Sequence, residues 1–188
     1  MKRNLLDGER IFTIDDFLSA EECQSLIDRS EAIGYQTATV GGAVAIEIRN
    51  NARVIVDDPE LASELYLRAA PLLPQVLEDC QLAGFNPRFR FYRYTRAESF
   101  RAHQDGIVKI GEDQLSKLTF MVYLCDVVKG GETRFYASGQ GMRFEIKPER
   151  GKALVFLHEE IHEGVAVDEG EKYVLRTDVT YQELPDGT

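Results

Sequence analysis

Three side chains in this sequence are placed where they could grip one metal ion. His103-Gln104-Asp105 sets an imidazole and a carboxylate two residues apart, and on an extended strand positions i and i+2 face the same side. His162 follows the apolar run 153–157 and can bring a second imidazole to that face. Two neutral imidazoles and one carboxylate leave coordination positions open. That donor set suits non-haem Fe(II), where a co-substrate and oxygen must both reach the ion. The chain has only three histidines, His103, His158 and His162, so this site uses two of them.

A second motif overlaps the first. His158-Glu159-Glu160-Ile161-His162 fits His-Glu-X-X-His, in which a helix turns i and i+4 onto one face around zinc and the glutamate is the general base. Glu183 would be its third ligand. The context opposes a helix: an apolar strand precedes the motif, Gly164 follows closely, and Val165 and Val167 are poor helix formers. A zinc metallohydrolase built on His158, Glu159 and His162 also leaves His103 and Asp105 without a role, and His158 otherwise reads as a loop residue near a pocket rim. A non-catalytic β-barrel binding module with a vestigial metal site is a third reading, which nothing in the sequence favours.

The elements that must position these groups fall into two parts. Residues 11–14 read as a short strand. Ser19-Ala20-Glu21-Glu22 is a capping box opening a helix that carries Leu26 and Ile27 and stops at Gly34. Residues 52–56 read as a strand, and Asp58-Pro59 opens a second helix that breaks near Pro71 and Pro74. From residue 88 the pattern turns to period two. Phe89 and Phe91 alternate with Arg88, Arg90 and Tyr92; residues 118–124, 132–136, 144–146 and 153–157 read as strands; 173–181 alternates again, with Val174, Arg176 and Asp178 on one face. Closely spaced strands with glycine turns predict a barrel or sandwich. Helices first and strands after predict an α+β fold, mainly β, with the helices packed on one side of the sheets. Residues 35–51, with Gly41-Gly42 and Asn50-Asn51, are either a connecting loop or a lid.

In order, these segments resemble the prolyl 4-hydroxylase-like branch of the 2-oxoglutarate/Fe(II) dioxygenase superfamily. The matching pieces are Asp16-Phe17-Leu18-Ser19-Ala20-Glu21-Glu22-Cys23, Phe91-Tyr92-Arg93-Tyr94, His103-Gln104-Asp105 and Tyr123-Leu124. They continue with Gly130-Gly131-Glu132-Thr133, Ala153-Leu154-Val155-Phe156, His162-Glu163-Gly164 and Gly170-Glu171-Lys172-Tyr173-Val174, so the likeness runs over about residues 10–183. The resemblance implies a double-stranded β-helix (jelly roll, cupin-like) with N-terminal helices packed on one sheet. It implies a single domain over 1–188, helical over about 1–87, with the β-helix over about 88–183. It implies Fe(II) held by His103, Asp105 and His162. Lys172 would pair with the far carboxylate of 2-oxoglutarate; Arg176, four residues on and on the same strand face, is the alternative. Tyr94 and Tyr123 match positions near the co-substrate, although core packing explains large strand aromatics equally well. The implied activity consumes 2-oxoglutarate and O2, hydroxylates an unactivated C–H bond of a peptidyl (such as prolyl) or small-molecule substrate, and releases succinate and CO2.

Composition narrows the partners. A net charge of −10 argues against nucleic acid and against an anionic membrane surface. Arg88, Arg90, Arg93, Arg96 and Arg101 form either a local basic wall or a solvated strand face. Three cysteines, Cys23, Cys80 and Cys125, do not make a disulfide framework, and Cys23 and Cys125 sit in apolar segments as small core residues. No apolar stretch has the length of a signal peptide core or a membrane span. A reducing cytoplasm fits these features. No pattern speaks to oligomeric state.

Overall fold

The computed structural model describes residues 1–38, 48–137 and 141–183. Its framework is eight strands shared between two sheets, the chain crossing between them at every step except the hairpin Thr133–Ala137 to Gly141–Ile146. Arg88–Tyr94, Gln114–Tyr123, Ala153–Leu157 and Lys172–Glu183 belong to the larger sheet. Phe100–His103, Thr133–Ala137, Gly141–Ile146 and His162–Gly164 form the smaller one. Neighbours in both sheets run antiparallel. This interleaving is the expected double-stranded β-helix.

Because side chains alternate across a strand, each strand of the larger sheet feeds two cores. Phe89, Phe91, Leu118, Phe120, Val122, Leu175 and Val179 point outward and pack with helix residues such as Cys23, Leu26, Ala62 and Leu65. Tyr92, Tyr94, Met121, Tyr123, Leu154, Phe156 and Val174 point inward, where they meet Phe135 and Ile146 of the smaller sheet. The helices therefore cover one face and leave the barrel interior to the site.

The helices form where their caps predict. Ala20–Ile33 starts at Ser19, whose hydroxyl accepts from the Glu22 amide while the Glu22 carboxylate accepts from the Ser19 amide, and it stops at Gly34, with φ of 92°. Pro59–Ala69 starts at Asp58, which accepts from Leu61 N–H at 2.9 Å and pairs with Arg29 of the first helix at 2.7 Å. A short 3-10 turn, Ala70–Leu72, carries Pro71. Arg68 clamps the two helices together by a two-pronged pair with Glu22 at 2.7 and 3.0 Å.

Several details differ from the sequence reading. The N-terminal part holds more strand than expected: Lys2–Asp7 and Cys80–Phe85 extend the larger sheet, beside the anticipated Ile11–Asp15 and Ala52–Asp57. The first of these is an edge strand exposed along much of its length, so it carries no hydrophobic alternation. Arg88, Arg90 and Arg93 form no common wall, because each is paired with a different carboxylate. Arg88 pairs with Asp57 at 3.5 Å, Arg93 with Glu31 at 2.9 Å, and Arg90 turns inward to Asp178 at 3.2 Å. Cys23 and Cys80 are buried, but Cys125 is only partly so; all three are free. Gly41 and Gly42 of the suggested lid lie outside the described residues. Beyond them, residues 48–50 run beside Phe100–His103, with Arg101 N–H donating to the Ile48 carbonyl at 2.9 Å. Among the described residues no helix is long and apolar enough to cross a membrane.

Candidate metal centre

Strand register, rather than local spacing, assembles the site. His103 ends the strand Phe100–His103 and pairs directly with His162, which begins the neighbouring strand. Their ring centroids are 4.2 Å apart. Asp105 lies just beyond the strand end, not on it, so its position needs a separate support. The turn after Ala153–Leu157 gives it: Asp105 N–H donates to the His158 carbonyl at 2.9 Å, and the Gln104 amide donates to the Glu159 carbonyl at 2.6 Å.

The three side chains converge. His103 Nε2 lies 3.8 Å from Asp105 Oδ1, and His162 Nε2 lies 3.8 Å from Asp105 Oδ2. One donor atom from each residue falls within 4.8 Å of the others. With metal–ligand bonds of roughly 2.0–2.2 Å, a single ion spans donors at about that separation. Backbone carbonyls fix both rings. His103 Nδ1 is 2.8 Å from Arg101 O and His162 Nδ1 is 3.0 Å from Glu160 O. A carbonyl only accepts, so each Nδ1 carries the hydrogen and each Nε2 lone pair faces Asp105.

Charge is arranged for the same purpose. Burial pushes His103 down to about 4, and the neighbouring His162 adds to the effect; burial likewise lowers His162. Both rings are thus neutral, the form that ligates. Burial opposes ionisation of Asp105, but the Arg176 guanidinium, helped by the Thr119 hydroxyl, outweighs it and holds the carboxyl well below its usual range. Two imidazole nitrogens and one ionised carboxylate, with partners on every other side, fit a 2-His-1-carboxylate metal site. Phe100 stacks on His103 at 3.6 Å, and Phe156 lies 4.5 Å from the His162 ring.

The two candidate anchors for a co-substrate occupy different surroundings. Arg176 is committed inside the barrel: its Nη2 is 3.1 Å from Asp105 Oδ2 and 3.1 Å from Asp178 Oδ1. Burial lowers the basicity of Arg176, but Asp105 and Asp178 raise it further, so the net shift is upward. Lys172 is 2% exposed. Its ammonium donates to the Gly131 carbonyl at 2.6 Å and lies 5.1 and 5.5 Å from the ring centres of Tyr94 and Tyr123. Among the described residues no carboxylate pairs with it, and burial pushes it down to about 8. Lys172, Arg176 and Tyr94 line the same chamber as the metal triad. Tyr123 stands behind that wall, donating its hydroxyl to Thr133 Oγ1 at 2.6 Å, and Thr133 lines the chamber.

The zinc motif does not form. Residues 158–161 make a turn, not a helix, so His158 and His162 do not share a helix face. His158 is buried at 4% exposure rather than at a rim, and Thr119 and Ser116 engage both of its nitrogens. Glu183 opens into a separate cleft with Cys80 and Lys109. Thr119, Ser116, Thr133 and Phe100 are site residues that sequence reasoning passes over. Thr119 carries one signal: it shares strand parity with Met121 and Tyr123, which places it inward.

Known proteins carry the same arrangement of segments. The family described as the 2OG-Fe(II) oxygenase superfamily matches residues 89–177, which span the triad and Lys172. Prolyl 4-hydroxylase 1 of Arabidopsis thaliana is 26% identical over 196 residues; the match takes in 87% of this chain and 66% of that protein, so the chain spans just under two thirds of this relative. The viral collagen prolyl hydroxylase of Paramecium Bursaria Chlorella virus-1 shares the fold with a TM-score of 0.65 at 22% identity, over 94% of this chain and 99% of that one. A Trichoplax adhaerens prolyl hydroxylase, solved with a hypoxia inducible factor peptide fragment, superposes with a TM-score of 0.71 at 17% identity, over 95% and 86% of the two chains.

Proposed function

We propose that the chain is a member of the 2OG-Fe(II) oxygenase superfamily, in its prolyl 4-hydroxylase-like branch, and that it is an Fe(II)- and 2-oxoglutarate-dependent hydroxylase of peptidyl proline. The convergence of His103, Asp105 and His162 beside a buried Lys172 whose ammonium bonds the Gly131 carbonyl carries this reading.

The three ligating side chains would hold Fe(II), which supplies the coupled reduction of O2 and oxidative decarboxylation of 2-oxoglutarate, giving succinate, CO2 and a hydroxylated C–H position. The chain's own part is binding and exclusion. Lys172 presents an ammonium group at the chamber wall with no carboxylate in ion-pair contact among the described residues, Glu132 acting on it only from a distance, so a dicarboxylate relieves the cost of burying that charge. Tyr94 and the Tyr123–Thr133 pair shape the wall beside it. Arg176 works differently. It already bonds Asp105 and Asp178 and acts on the ligand carboxylate, so Lys172 is the anchor for the far carboxylate. Phe100, Met121 and Phe156 keep water from the site. The prolyl peptide substrate rests on the similarity to prolyl hydroxylases. Three free cysteines support a reducing, cytoplasmic setting.

The test is succinate release by protein given Fe(II), 2-oxoglutarate and O2, with and without proline-rich peptides. Peptide-stimulated succinate and a peptide heavier by one oxygen atom are expected. His103→Ala and Asp105→Ala should abolish both while keeping the circular dichroism of the fold; full turnover by both variants would refute the ligand assignment.

A further inference from the structure

The His158 motif, left without a role by the metal triad, is wired into it. Asp105 Oδ2 is 2.5 Å from Thr119 Oγ1, Thr119 Oγ1 is 3.0 Å from His158 Nδ1, and His158 Nε2 is 2.9 Å from Ser116 Oγ. Ser116 Oγ in turn accepts from Val108 N–H at 2.8 Å. Ser116, Thr119 and His158 are all buried.

The direction of every bond in this chain follows from counting protons. An ionised carboxylate only accepts, so the single hydroxyl proton of Thr119 goes to Asp105. Thr119 must then accept from His158, which puts the imidazole hydrogen on Nδ1. A neutral imidazole has one donor and one acceptor nitrogen, so Nε2 accepts the Ser116 hydroxyl proton. Ser116 is oriented by the backbone of Val108. Each group hands a proton toward Asp105, and no member is free to turn around without leaving a buried partner unsatisfied.

We propose that His158, in its Nδ1–H form, is a positioning residue for the metal centre: through Thr119 it holds a hydroxyl proton on Asp105 Oδ2, so that Oδ1 alone is presented to the ion. Arg176 caps the same Oδ2 from the other side at 3.1 Å. The carboxylate is thereby held as a one-oxygen ligand, and coordination positions stay open. This rests on the triad being the metal site. It assigns to His158 a role that neither a zinc ligand nor a plain core histidine would have.

The test begins with Mn(II) binding, a readout independent of turnover. Wild type should bind one Mn(II), and His103→Ala should not; if His103→Ala binds as wild type does, the metal-site reading itself fails. Given that control, Thr119→Val and His158→Leu should each weaken Mn(II) binding about 10–100-fold, as loss of partners behind metal ligands does. His158→Asn keeps an amide donor near the Nδ1 position and should recover most of the loss. Unchanged Mn(II) affinity in folded Thr119→Val and His158→Leu overturns the proposal. A second measurement needs no variant that might misfold: the nitrogen-15 imidazole spectrum of the wild-type protein should show His158 as the Nδ1–H tautomer. An Nε2–H ring reverses the chain and overturns the proposal as well.

Discussion

The two cations on the C-terminal strand show how a chamber divides labour between side chains of the same charge. Arg176 offers a planar fork and meets carboxylates that are already in the protein; Lys172 is a point charge left facing the chamber. Lys172→Met should therefore raise the KM for 2-oxoglutarate about 10–100-fold, the scale of one charge-assisted bond, with Mn(II) affinity little changed. Arg176→Lys should do the reverse, weakening the metal and leaving that KM within about threefold. Equal KM effects for both variants would remove the distinction. Lys172 also sets a pH limit. Burial pushes it down to about 8 from 10.5, so above that pH the empty site loses its positive charge. Affinity for 2-oxoglutarate should fall about tenfold per unit there. Stability moves the other way. Between about 8 and 10.5 the unfolded chain binds this proton and the folded one does not, so unfolding free energy rises with pH across that window. Urea midpoints of wild type and Lys172→Met, compared at pH 8 and 10, should show the wild type gaining on the variant.

Elements are legible where local chemistry is explicit. Ser19 with Glu22, Asp58 with Pro59, and Gly34 mark both helices, and the alternation 173–181 shows which residues face inward. What stays hidden has a common cause. Lys2–Asp7 is exposed at the sheet edge, so it has no periodic signature. The spacing from His103 puts Asp105 on a strand, yet the strand ends at His103 and backbone bonds to the 158–161 turn hold the aspartate. A contact made across 53 residues leaves no trace in a His-X-Asp spacing. Gly151 shows how such elements are locked together. Its φ is 81°, its carbonyl accepts the amides of Phe17 and Leu18, and its own amide donates to Tyr123 O at 2.8 Å. A side chain there would overlap the Leu18 carbonyl oxygen. Gly151→Ala should therefore destabilise the fold by about 2–4 kcal/mol through strain and forced backbone movement, read as a lowered denaturant midpoint. A change under about 0.5 kcal/mol would show that the helix entry does not depend on this contact.

At the scale of the molecule, the site joins parts that the chain keeps distant. His103 and His162 meet by sheet register, Asp105 is docked on the turn between the two sheets, and the larger sheet contributes Thr119, Lys172 and Arg176 from its inward face. The donor types and their order can be read from sequence, but the closing of the ring of partners around Asp105 cannot. It depends on two strands of the larger sheet presenting Thr119 and Arg176 side by side, Arg176 Nη2 standing 3.3 Å from Thr119 Oγ1. Such an assembly exists only in the folded state, so an ion held by it should stabilise the fold by mass action. At about one hundred times its dissociation constant, Mn(II) should add roughly 2.7 kcal/mol. For a chain of this length that is a rise in Tm of about 5–10 °C, with a further rise on adding 2-oxoglutarate if Lys172 holds it. His103→Ala should lose the Mn(II) response altogether, whereas Lys172→Met should keep it and lose only the 2-oxoglutarate increment. The same Mn(II) shift in wild type and His103→Ala would mean that the ion binds elsewhere, and the convergence of the three side chains would then have no metal to explain it.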